Sequence, residues 1–257
     1  MTCIVTTSWD DGHPLDFRVA ELLNKYDLPG TFYVPLENPE RPVMTRSQIK
    51  QLAEAGFEIG GHTLTHTTLT AISLTQAEQE ILGCKRILQD CVGEAIQMFC
   101  YPGGHYNKIL LDKVQKAGYI GARTAARFQT ALPSNFYRIM TTQQAFSFPI
   151  KKNLLHLLRT CNGRALHWYI LSARLECNWV ELSIGLFRKA LETGGVWHLW
   201  GHSWEIDSTK QWEALEEIFK AVANQRNILY LTNSQFINHV NARNSTPKSD
   251  FWSKTPD

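Results

Sequence analysis

Ser8-Trp9-Asp10-Asp11-Gly12 closes the first apolar run of the chain, which starts at Cys3. Cys3 to Trp9 reads as a buried strand, so two neighbouring carboxylates stand where a strand opens into a turn. Side chains alternate along a strand, and at its end Asp10 and Asp11 can diverge, one reaching a metal while the other stays free as a base. Asp-Gly is also a common turn pair, and on this stretch alone the turn explains both acids. A second stretch, Gly60-Gly61-His62-Thr63-Leu64-Thr65-His66, favours the metal. Histidines four apart are close to one helical turn, so both imidazoles point the same way if the chain coils beyond a strand. The Gly pair allows the close backbone approach that a crowded site needs.

Outward from these stretches, short apolar runs alternate with stretches of helical period, the pattern of repeated βα units. Strands are expected at Cys3 to Trp9, Gly30 to Val34, Phe57 to Gly61, Gln97 to Tyr101, Tyr119 to Arg123, Val196 to Trp200 and Ile228 to Leu231. Helices are expected at Pro14 to Tyr26, Arg46 to Ala55, Leu74 to Val92, Asn107 to Ala117, Trp179 to Glu192, Thr209 to Asn224 and Ser234 to Ala242. Thr75 followed by Glu78 reads as a capping box, with Ser73 or Thr75 as the N-cap. About seven strands and as many helices point to an α/β barrel over residues 1–243, with 129–177 an elaboration beside it and 244–257 a tail that Phe251-Trp252 could dock. Within the elaboration, Phe136 to Met140 reads as a strand and Leu154 to Thr160 as a helix.

A chain of 257 residues with 44% hydrophobic content can bury a substantial core in one barrel-sized domain. With 26 basic and 24 acidic residues, net +2, and no basic run, it lacks the electrostatic footprint of a nucleic-acid binder. Six cysteines without a C-x-x-C pair read as reduced thiols. Neither a secretory leader nor a membrane span is visible, so a cytoplasmic protein is expected.

Two further motifs follow in order: Phe99-Cys100-Tyr101-Pro102-Gly103-Gly104, and His198-Leu199-Trp200-Gly201-His202-Ser203. With the two earlier stretches, this order and spacing resembles the polysaccharide deacetylase family, carbohydrate esterase family four, over Cys3 to about Ile237. The resemblance implies a distorted (β/α) barrel with its site at the C-terminal ends of the strands. It implies one divalent metal held by Asp11, His62 and His66, most simply zinc although other first-row metals suit the same donors. It further implies Asp10 as general base, an oxyanion donor at the Gly103 N–H, and a late-strand histidine as acid. For that acid His202 is preferred to His198, because it lies nearer the strand end. Tyr101, Trp204 and Trp9 are the remaining oxyanion or substrate candidates, with His13, His105 and Tyr106 in loops beside the motifs.

The usual third motif carries an arginine paired with the base where this chain has Cys100, and a tyrosine where it has Gly103. Arg123, ending the fifth strand, is the first candidate to replace the arginine and Arg138 the second. Glu205 is near enough in sequence to orient His202. The expected activity is removal of an N-acetyl group from an acetylated saccharide or glycan precursor. Two alternatives stay open: hydrolysis of a non-sugar linear or cyclic amide, which Arg123, Arg127 and Arg138 would suit if the substrate is anionic, and a catalytically silent sugar-binding barrel.

Overall fold

The computed structural model describes residues 2–245, so Phe251-Trp252 lies outside the described residues. Strand and helix alternate as β1 (Cys3–Asp10), α1 (Asp16–Lys25), β2 (Thr31–Val34), α2 (Arg46–Glu54), β3 (Glu58–Gly61), α3 (Leu74–Val92), β4 (Met98–Cys100), α4 (Lys108–Lys116) and β5 (Gly121–Arg123). The second half continues with β6 (Gln143–Gln144), α5 (Ile150–Arg159), α6 (Gly163–Leu171), α7 (Trp179–Thr193), β7 (Val196–Gly201), α8 (Ser203–Ser208), α9 (Trp212–Val222), β8 (Ile228–Tyr230) and α10 (Asn233–Ser245).

All ladders are parallel, in the order β5-β4-β3-β2-β1-β7-β6. β8 joins β1 along Cys3 to Val5 and β2 joins it along Ser8 to Asp10, so the two follow one another on the edge that β7 leaves open. Between β5 and β6 the ladder is reduced to a bridge from Arg123 to Ile139. The result is a distorted (β/α) barrel. The expected strand at Phe136 to Met140 is a 3₁₀ turn over Phe136–Arg138 that leads into this bridge. β6, only Gln143 and Gln144, has no apolar run that could announce it.

Period-two alternation along β1 sorts its residues into two layers. Val5 and Trp9 enter the large core between sheet and helices, while Ile4 joins a second core inside the barrel with Val196, Phe236, Ile237 and Val240. α10 thus plugs the N-terminal end of the lumen. Above that plug come polar layers, Thr6 on Asn233 and then Ser8 on His198, and Asp10 tops the stack. α3 starts at Ser73, whose hydroxyl and Gln76 form a reciprocal capping box; Thr75 and Glu78 do not.

Candidate metal and hydrolytic centre

β1 ends in a turn whose backbone separates its two acids. Asp11 adopts a positive φ of 76° and Gly12 one of 56°. A Cβ on Gly12 would lie 2.7 Å from Val34 Cγ1, so conformation and space both require glycine there. This turn leaves Asp10 on the lumen face and swings Asp11 toward the β3 loop.

Asp11 Oδ1 lies 3.0 Å from His66 Nε2 and 3.6 Å from His62 Nε2. His62 Nδ1 donates to the Cys100 carbonyl at 2.8 Å, which fixes the ring and leaves Nε2 facing Asp11. Trp204 Nε1 donates to Asp11 Oδ2 at 2.9 Å, so the other carboxylate oxygen faces the imidazoles. Burial opposes charge on Asp11, but the His62 and His66 hydrogen bonds and the His202 charge outweigh it and hold the carboxyl well below the usual carboxylate range. Two imidazole nitrogens and an ionised carboxylate, all within 4.8 Å of one another and oriented by other residues, fit a divalent metal with open coordination positions.

Asp10, His62 and Cys100 form a second group of similar span. It does not suit a metal: burial pushes the Cys100 thiol well up, so it stays protonated, and Asp10 is already paired. That partner is Arg123, whose Nη2 donates to Asp10 Oδ1 with both side chains buried. β4 and β5 bring it there, since Cys100 and Arg123 are register partners. The guanidinium lies 4.5 Å from the Trp200 ring centroid and 5.3 Å from that of Tyr33. Burial opposes its charge, but Asp10 more than compensates and keeps it protonated. Arg138 is exposed, against Tyr106, and does not reach Asp10.

His202 follows β7 and is the N-cap residue of α8. Its Nδ1 lies 3.3 Å from Glu205 Oε2, which also accepts from Gln144 Nε2 at 3.0 Å. Burial acts against a proton on His202, but the Glu205 hydrogen bond and the Asp11 and Asp10 charges raise its pKa above the ordinary value. His198 lies deeper in β7, with Nε2 2.8 Å from the Ser8 hydroxyl. Burial and the Arg123 charge push its pKa well below the ordinary value, so it is neutral and suited to packing the lumen rather than giving up a proton.

Two substrate contacts expected from the sequence, Trp9 and Tyr101, need correction. Trp9 is fully buried in the helix-side core, edge-on to Phe219, because it alternates with lumen-facing Ser8 and Asp10. Tyr101 is buried in the same layer; its hydroxyl donates to the Tyr137 carbonyl and its N–H to the Arg123 carbonyl, so neither group is open to an oxyanion. The Trp204 ring, half-buried, stacks on His202 with centroids 5.0 Å apart and lies under the Arg41 guanidinium. Gly103 is exposed, with a φ of 62°.

The sequence reading missed the group that shapes the histidine loop. Glu80, on α3, accepts the N–H groups of Leu64 and Thr65 at 2.8 and 2.9 Å and the Thr65 hydroxyl at 2.8 Å. The loop is not a helical coil, since Thr63 and His66 both have positive φ, and Glu80 supplies the acceptors that a helix would have provided. A carboxylate 16 residues beyond Leu64 would be found only by placing α3 beside β3. Asp16 was also missed: burial pushes its carboxyl well up, against a Ser203 hydrogen bond, and the Asp11 and Asp10 charges add to the rise. Gly60 and Gly61 do serve close approach, as a Cβ would lie 2.5 Å from a Tyr33 ring carbon at the first and 2.5 Å from the Tyr119 hydroxyl at the second.

Comparison with known proteins finds likenesses in sequence and in fold. A family model described as polysaccharide deacetylase matches residues 3–122. A peptidoglycan-N-acetylglucosamine deacetylase of Bacillus cereus is 29% identical over 119 residues, 45% of this chain and 54% of that protein. A peptidoglycan deacetylase of Helicobacter pylori is 28% identical over 102 residues, 40% of this chain and 34% of that one. The matches thus span about a third to a half of these relatives. Among solved structures, a Mycobacterium smegmatis protein superposes with a TM-score of 0.61 at 17% identity, over 100% of this chain and 95% of that one. A Bacillus subtilis peptidoglycan deacetylase gives 0.58 at 15% identity, over 95% and 93%. These likenesses establish the shared barrel, and the sequence match to the polysaccharide deacetylase family model extends over residues 3–122.

Proposed function

We propose that this protein is a metal-dependent hydrolase that removes the N-acetyl group from an amino-sugar unit of a saccharide or glycan precursor. The observation that carries the reading is the separation of two adjacent acids, Asp11 turned to His62 and His66 and Asp10 bound to Arg123. A divalent metal on Asp11, His62 and His66, for which zinc suits the donor set, would supply Lewis acidity toward an acetyl carbonyl and toward water.

The chain's own residues would do the rest. Asp10, held and aimed by Arg123, takes the proton of the attacking water. The Gly103 N–H is the chain's donor for the developing oxyanion. His202, protonated against Glu205, gives its proton to the departing amine. All of the groups assigned to the metal and to proton transfer are present, which speaks against a silent sugar-binding barrel. The arginines do not form an anion-binding ring: Arg123 is on Asp10, Arg127 is buried against Phe148 and Asn153, and Arg138 is outside. That weakens the reading of a non-sugar anionic amide.

The test is product analysis with metal-loaded protein on N-acetylglucosamine oligomers, an O-acetylated xylan and cyclic amides. Acetate and a free amine from the first substrate support the proposal. Turnover confined to either of the other two replaces it with an esterase or a cyclic-amide hydrolase.

A further inference from the structure

From Lys113 to Arg174 the sequence contains no aspartate or glutamate, although the whole chain has 24 acids against 26 bases. The outer part of this stretch is the helix pair α5–α6, inserted between β6 and α7. Its inner faces, through Leu157, Ala165 and Tyr169, pack with Phe128, Leu182 and Leu186 in a core cluster separate from that of the barrel. Its outer faces are unusual for a surface carrying so much positive charge. Five of the nine large apolar side chains exposed among the described residues are here: Ile150, Leu155, Leu158, Ile170 and Leu171.

Helical spacing interleaves these with cations. On α5, Lys151, Leu155, Leu158 and Arg159 share one stripe, and on α6 Arg164, Ile170 and Leu171 flank the exposed His167. Exposed aliphatic side chains set among lysines and arginines, with no acid on either helix, form a face that matches an anionic lipid surface: apolar groups enter the headgroup boundary while cations meet the headgroup charge. A second copy of the chain fits less well, because a symmetric contact would set two positive faces together. A purely hydrophilic polyanion would leave the aliphatic side chains uncovered. No helix among the described residues is long and apolar enough to cross a membrane, so the contact would be peripheral.

We propose that the outer face of α5–α6 docks this protein on membranes containing anionic lipid. α5 leaves the barrel shortly after Gln144, which holds Glu205 beside His202, so the helix pair joins the barrel at the end that carries the candidate site. The inference is independent of the proposed activity.

Co-sedimentation with sucrose-loaded vesicles tests it. The full chain should sediment with vesicles of phosphatidylglycerol and phosphatidylcholine, remain in solution with pure phosphatidylcholine, and be released as salt is raised. Leu158→Glu with Leu171→Glu should lower partitioning about tenfold or more, and Lys151→Glu with Lys152→Glu should do the same, each with unchanged circular dichroism and thermal midpoint. The charge-reversed pair keeps the test open should the leucine variant fail to fold. Failure of the wild type to sediment with anionic vesicles overturns the proposal, as does equal sedimentation by folded variants. Concentration-dependent dimerisation without vesicle binding, abolished by the leucine changes, would make the face a contact between copies and overturn it as well.

Discussion

Asp10 and Asp11 are neighbours in sequence, yet they have opposite surroundings. Asp11 meets two imidazoles and an indole N–H, and Asp10 meets a buried guanidinium. That the two acids can diverge is legible in the sequence because strand alternation is a local rule, whereas which of them faces the histidines is implied there only by the family resemblance. Which arginine reaches Asp10 is narrowed there only to a pair of candidates, because the answer depends on the register between β4 and β5. Trp9 is no substrate contact, because a residue next to a lumen-facing acid must face the helices; its parity outweighs its aromatic character. At this scale the dyad of His202 and Glu205 makes a directional prediction. A general acid must carry its proton, so activity falls as pH rises through the His202 pKa, which Glu205 helps to raise. Glu205→Gln removes that charge and should move the basic limb of the kcat/KM profile to lower pH, leaving the acidic limb in place. A pH profile with an unmoved basic limb contradicts the role given to Glu205.

Elements hold the site by contacts that no motif contains. The β3 loop carries the two histidines that face Asp11 in an irregular conformation, and its backbone donors are satisfied from α3 by Glu80. The spacing of His62 and His66 suggests a helical turn, but two positive φ angles give the loop its actual course; spacing alone does not distinguish the two. The sequence leaves the N-cap of α3 between Ser73 and Thr75 for a similar reason, since both have a partner three residues on and only the backbone decides. Glu80→Ala strands donors that are worth about 1–3 kcal/mol when left unsatisfied. It should also lower metal affinity by about 10- to 100-fold, as losses of supporting contacts around ligands do. Urea unfolding and competition with a chelator measure the two effects, and Glu80→Gln, which keeps an acceptor oxygen, should fall between wild type and alanine. Unchanged metal affinity in the alanine variant would limit Glu80 to a structural role.

Across the molecule, the barrel is a stack. An apolar plug from α10 closes one end, buried hydroxyl, amide and imidazole pairs fill the middle, and ionised groups occupy the end where the strands terminate. The repeated βα pattern makes this architecture legible, since each long apolar run matches a strand. The two-residue β6 and the α6 helix are not legible, because the first is polar and the second lies in the stretch whose periodicity is weakest. A metal that binds only the folded chain stabilises it by about 2.7 kcal/mol at a hundredfold excess over Kd. For a chain of 257 residues this corresponds to a rise in Tm of about 5–10 °C at roughly 2–4 °C per kcal/mol. Thermal melts with zinc and with chelator should show that rise, and Asp11→Asn should lose most of it; an equal rise in the variant would place the metal elsewhere.

The central claim is that Asp10 serves as the base beside a metal held by Asp11, His62 and His66. Acetate release from an N-acetylglucosamine oligomer by metal-loaded wild type and Asp10→Asn, with metal content determined for both, tests it most directly. The account predicts that both proteins hold metal and that the variant is slower by about 10²- to 10⁴-fold. Equal rates, or no acetate from metal-loaded wild type, would contradict it.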